Sequence, residues 1–173
     1  MTIIDHFRRQ LQYEAEVTQK FIDVVPYDKF DWRPHPKSMT LGRLLGHIVE
    51  IPTWFGLTLT TNELDEQKTP YIPFVADNKQ MIQEKHREAV EAAIRAFDIK
   101  YESVLGEDWT MRNGDQIYFT MSKQDCITQC MSQIPHHRAQ LGVYLRLLDI
   151  PVPGSYGPSA DEMEAMMAEG ASS

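Results

Sequence analysis

Two cysteines in 173 residues leave no disulfide framework to hold a fold. A chain of this length buries roughly two-thirds of its unfolded surface and needs none. Cys126 and Cys130 sit four apart inside a helical pattern, where both face one side and a disulfide is geometrically awkward. They read as reduced core residues. No apolar run approaches the ~20 residues that span a bilayer, and Met1 to Arg9 lacks the charged-then-apolar order of a signal peptide. No membrane partner is expected, and the expected location is cytoplasmic. No run of lysine or arginine offsets the formal net charge of -8. That balance argues against nucleic acid or an anionic membrane as main partner, since both reward positive charge. Missing too are a Gly-rich phosphate loop, a Gly-x-Ser-x-Gly elbow and a Cys-x-x-Cys pair.

What is present is histidine in apolar faces. From Cys126 to Leu148 the apolar residues Cys130, Ile134, Leu141, Tyr144 and Leu148 follow the four-and-three spacing of a helix turned toward a core. His137 fills the gap in that series. A lone histidine there is more often a hydrogen-bonded core residue than a ligand. His47, however, holds the same kind of position, three residues after Leu44 and four before Ile51. Two core-facing histidines on two amphipathic helices can meet.

The rest of the chain supplies the helices that would bring them together. Ile3, Phe7, Leu11, Glu14, Val17, Phe21 and Val24 predict a first helix from about Thr2 to Val25, stopped by Pro26. Residues 27–37, rich in aromatics and prolines, read as a loop folded over the domain. Ser38 or Thr40 caps a second helix running to about Thr58 and kinked at Pro52. Asn62 to Phe74 is a connector between helices. A third helix begins near Asp77, its expected cap, and runs to about Leu105 with a charged outer face. Asn113-Gly114 is a turn signal, so a short hairpin between Trp109 and Met121 precedes the fourth helix, which Ser122 opens. Ser159 and Glu162 have capping-box spacing for a short terminal helix. Four principal helices with long connections make the expected fold class all-α, a helical bundle. The expected organisation is one domain over residues 1–168 with a frayed tail at 169–173.

Neutral imidazoles on facing helices suit zinc, nickel, copper or iron, and a catalytic site wants a third protein ligand beside an open position. Gln133, one turn before His137, and Glu50, one turn after His47, both stand in reach. Cys130 lies about 10.5 Å before His137 along an ideal axis and is too far. His136, rotated by about 100°, faces solvent or a supporting partner. Pro135 either kinks the fourth helix or restarts it, which bears on where Gln133 points. Arg138 and Arg146 read as surface ion pairs or as holders of an anionic substrate. Tyr144 reads as packing or as a hydroxyl near the site.

Three stretches resemble the DinB family of metal-dependent enzymes, also called DinB/YfiT-like. They are Trp32-Arg33-Pro34-His35-Pro36-Lys37-Ser38-Met39-Thr40-Leu41-Gly42 with His47; His136-His137-Arg138-Ala139-Gln140-Leu141 with Tyr144-Leu145-Arg146; and Val152-Pro153 with Tyr156-Gly157-Pro158-Ser159-Ala160-Asp161-Glu162. The likeness covers nearly the whole chain and is most specific around His137. It implies a four-helix bundle of DinB/YfiT type, commonly a homodimer, with three histidines holding nickel or zinc at one end. By position those ligands fall on His47, residue 133 and His137, and here residue 133 is Gln133. The resemblance further implies a small-molecule substrate and a low-molecular-weight thiol, in a thiol-dependent transferase or a hydrolase. The competing expectation is a non-catalytic, stress-related small-molecule binder with an altered metal site.

Overall fold

In the computed structural model, which describes residues 1–170, each long helix begins at a residue suited to satisfying its free amides. Helix α1 (Ile3–Val24) opens on a capping box between Thr2 and Asp5, and the Glu102 carboxylate accepts from the Ile3 and Ile4 amides at 2.9 and 3.0 Å. Helix α2 (Leu41–Glu50) is capped by Thr40. Proline cannot donate to the Ile48 carbonyl, so the chain breaks at Pro52 and restarts as α3 (Thr53–Thr60). The second sequence-predicted helix is therefore two.

Helix α4 (Lys79–Ala96) is capped by Asn78 rather than Asp77. It also ends nine residues sooner than its periodicity suggested. Asp98 accepts from the Lys100 amide and starts a separate 3-10 turn over Ile99–Val104. Helix α5 (Lys123–Leu147) continues through Pro135 without restarting. Helix α6 (Ala160–Gly170) carries the Ser159–Glu162 box and includes Glu169 and Gly170, assigned above to a frayed tail; 171–173 lie outside the described residues.

The all-α four-helix bundle is overturned by a sheet. Strand β1 (Glu63–Asp65) pairs in parallel with β2 (Asp108–Asn113), which pairs antiparallel with β3 (Gln116–Ser122). Among the described residues the molecule is six α-helices, two 3-10 segments and this three-stranded mixed sheet. The expected hairpin is real: Gly114 sits at φ +57°, and a Cβ there would also meet the Gln67 side chain at 2.8 Å. The expected connector hides the third strand. Buried Asp65 accepts from the Gly114 amide at 2.9 Å and the Gln67 amide at 3.1 Å, and lies near Lys68 and Arg112, so β1 is bonded to the tip of the hairpin.

Two apolar clusters make the core. One joins Phe21 of α1, Leu44 and Ile48 of α2, Ile82 of α4 and Leu141 of α5. The other joins Phe7 and Leu11 of α1, Phe55 of α3, Ala93 of α4 and Ile134 of α5. Each helix that runs past both carries a buried polar group between them, Glu14 on α1, His86 on α4, His137 and Arg138 on α5, and Glu50 ends α2 between Val49 of the first cluster and Ile51 of the second. The molecule thus has a polar waist, and the candidate site lies in it. No described helix is long and apolar enough to cross a membrane.

Candidate functional site

Helices α2 and α5 bring His47 and His137 edge to face, ring centroids 4.7 Å apart at an interplanar angle of 73°. His137 is buried and His47 half-buried. Their protonation follows from their partners. His47 Nδ1 lies 3.0 Å from Glu50 Oε1. Burial alone would raise that carboxyl's pKa, but hydrogen bonds from His47, Tyr71 and the Phe74 amide, with the Arg43 charge, outweigh it and lower it. An ionised Glu50 accepts, so His47 carries its hydrogen on Nδ1. His137 Nδ1 lies 2.9 Å from the Gln140 amide oxygen, which also only accepts. Both rings thus have Nδ1 engaged and Nε2 turned away from these partners. Burial lowers the His137 pKa, as do neighbouring His47, His136 and Arg43, against a raising hydrogen bond to Gln140; the neutral ring is favoured.

The structure separates the two candidates for third ligand. Glu50 is committed behind His47: its Oε1 takes the imidazole hydrogen, the Tyr71 hydroxyl and Arg43 Nη1, and its Oε2 takes the Phe74 amide. Gln133 faces a cavity of about 180 Å³ that His47 also lines, and its side-chain amide makes no hydrogen bond among the described residues. No three of His, Cys, Asp and Glu converge as a metal group among the described residues. The donors are two tautomer-fixed imidazoles and one amide, a set that fits a divalent ion of borderline softness with one weak ligand.

The other sequence candidates fall elsewhere. Arg138 is 1 % exposed and sits 2.7 Å from Glu14, off-axis for a hydrogen bond, while donating to Thr18 and Tyr156, so it is not a surface residue or an anion holder. Arg146 forms an ion pair with Asp161. Tyr144 donates to the Met39 carbonyl and packs edge-on against Trp32. His136 is exposed and meets Gln140 at 3.2 Å.

Residues that periodicity missed complete the site. Tyr71 and Arg43 face Glu50 from the connector and from α2, Nη2 of Arg43 donating to the Tyr71 hydroxyl at 2.8 Å. The cavity walls are Ile51 and Trp54 at the α2–α3 break, Trp109, Met111 and Phe119 from the hairpin, and Cys126, Gln129 and Cys130 from α5. The sheet is its roof. Both cysteines are reduced, as expected, Cys126 buried in the core and half-buried Cys130 packed against it, and both also line this space.

A bonded His–Glu pair on one helix, a facing His on another and a small apolar cavity that His47 lines are what this fold offers to chemistry. The chain belongs to the DinB family, whose model matches residues 1–170. It is 25 % identical over 167 residues to the uncharacterized protein YrdA of Bacillus subtilis (strain 168), covering 92 % of this chain and 91 % of that one. Among solved structures it is similar to a DinB-like protein from Bacillus cereus ATCC 10987, with TM-score 0.66 and 25 % identity over 88 % of this chain and 97 % of that one. It shares its fold with the DinB-like protein YjoA of Bacillus subtilis, with TM-score 0.67 and 15 % identity over 87 % and 97 % of the two chains.

Proposed function

We propose that this chain is a metal-dependent enzyme in which His47 and His137, with Gln133 as a third and weaker ligand, hold a nickel or zinc ion. It acts as a thiol-dependent transferase or a hydrolase on a small molecule. The observation that carries this reading is the adjacency of two imidazoles from different helices, each with Nδ1 engaged and Nε2 left to a ligand. A divalent ion held by His47, His137 and Gln133 would supply Lewis acidity toward a thiol or water nucleophile. The protein's own residues do the rest. Glu50 and Gln140 hold the two rings in one tautomer and orientation. Trp54, Trp109 and Phe119 take the apolar part of a substrate and keep water from it.

Untagged protein supplied in turn with nickel, zinc and iron, then desalted, is expected to retain about one ion per chain by elemental analysis for at least one of them. A content far below that for all three discards the enzyme. The second reading then stands: a non-catalytic, stress-related binder of a small apolar molecule. Gln133 at the position of a third imidazole is the observation that favours it. We further infer that two copies pair. Val143 and Leu147, one turn apart on α5, are each 58 % exposed, an apolar face that helix packing across a dimer would cover. Light scattering at tens of micromolar giving the mass of one chain overturns the pairing.

A further inference from the structure

On the α5 wall of the cavity, Gln133 belongs to the metal reading and the two cysteines do not. Cys126 and Cys130 stand one helical turn apart, both lining the same 180 Å³. The Thr58 hydroxyl lies 3.5 Å from Cys126 Sγ. Trp54, Trp109, Phe119 and Met111 give the walls an aromatic, polarisable surface that favours a flat group, with His47 and Gln133 also on the lining. The volume is below that of sites for drug-sized ligands, so the occupant is small, about one ring with a short substituent. Exposed Gln129 at the margin marks the way in.

Two thiols at this spacing do not close readily on each other, because a disulfide wants its Cβ atoms about 3.8 Å apart and residues four apart on a helix hold them at about 5–6 Å. They are better placed to share a third atom. That atom must accept two sulfurs from one side, carry an apolar substituent into the aromatic space, and leave no net charge in an apolar cavity.

We propose that Cys126 and Cys130, with the aromatic cavity they line, form a binding site for a small aryl arsenical in the trivalent state, arsenic bridging both sulfurs and the ring lodging in the cavity. The reaction balances without an oxidant. An aryl arsenoxide and two S–H groups give one bridged product and one water. Two As–S bonds form, the As–O bond and both S–H bonds break, the two protons leave on oxygen, and arsenic stays trivalent. The neighbouring Cys130 thiol and the Thr58 hydroxyl lower the Cys126 thiol pKa against burial, which favours a thiolate to begin the exchange.

The test uses the reduced, chelator-treated full chain with one equivalent of phenylarsine oxide. Intact mass is expected to show one adduct, heavier by the reagent less one water, together with quenched tryptophan fluorescence. The adduct resists excess monothiol and is released by dimercaptopropanol. Cys126→Ala and Cys130→Ala each lose retention against monothiol by on the order of 100-fold or more, the scale on which a second tethered contact acts. His137→Ala, which removes a proposed metal ligand that does not line the cavity, retains the adduct, which keeps this result separate from the metal reading. Wild type releasing the reagent to monothiol as fast as the single variants overturns the proposal, as does no adduct at all. Should Cys126→Ala fail to fold by circular dichroism, Cys130→Ser at the half-buried position decides alone.

Discussion

Where the protons sit around His47 is set by Glu50, a carboxylate 6 % exposed that accepts from the imidazole, a phenol, a guanidinium and a backbone amide. Glu50→Gln is expected to weaken zinc and nickel binding by about 10- to 100-fold in titration calorimetry, because the tautomer of His47 is no longer enforced. Gln133→His is expected to tighten it at least ~10-fold, about 1.4 kcal/mol, by supplying a third imidazole one turn from His137. His137→Ala abolishes binding in either background. If Gln133→His binds no tighter than the parent, residue 133 is turned from the site and the metal shell is drawn wrongly. His47 and His137 were legible in the sequence because a helical period reports which way a side chain faces. That Glu50 stood one turn from His47 was legible too, but not which atom it would meet. Tyr71 was hidden, since its segment has no period to read.

Among the elements, α1 and α5 are joined by Glu14 and Arg138, 3 % and 1 % exposed. Arg138→Ala leaves a buried carboxylate without its cation and is expected to destabilise the fold by about 3–5 kcal/mol in urea melts. Replacing both groups by methionine should recover most of that loss; a double variant as unstable as the single one contradicts the pairing. The clue in the sequence was Glu14 itself, a charge standing in the apolar row of α1. Read alone, Arg138 looked like surface because its neighbour His137 had taken the inward position. Helix starts were legible to within a residue or so, since Thr40, Ser122 and Ser159 cap by local chemistry. The end of α4 was not, because no glycine or proline interrupts the chain between Ala96 and Gly106, while Phe97 leaves helical geometry and Asp98 begins a new turn. Strand β1 was not legible either, since three residues bonded to a distant strand carry no alternation of their own.

For the molecule as a whole, the polar waist makes stability depend on pH. His86 is buried on α4, and burial lowers its pKa from 6.5 to about 4. Between those values the unfolded chain binds a proton that the folded chain does not, so stability is full above about pH 6.5 and falls as the pH drops toward 4. The loss is about 2 kcal/mol by pH 5, read as a lower midpoint in urea, and His86→Gln should flatten it. An unchanged slope in that variant would assign the acid sensitivity to other groups. The sheet above the cavity bears on the order of assembly. Strands β2 and β3 are neighbours in sequence and close through a two-residue turn, whereas Glu63 must find Thr110 across the whole of α4. Contacts that close long loops form late. The hairpin therefore folds first and β1 docks last, and the roof of the cavity is finished only when Asp65 reaches the Gly114 amide. In pulse-labelling hydrogen exchange, the amide of Glu66, bonded to the Arg112 carbonyl, is expected to gain protection after those of β3, making ligand competence the closing event of folding.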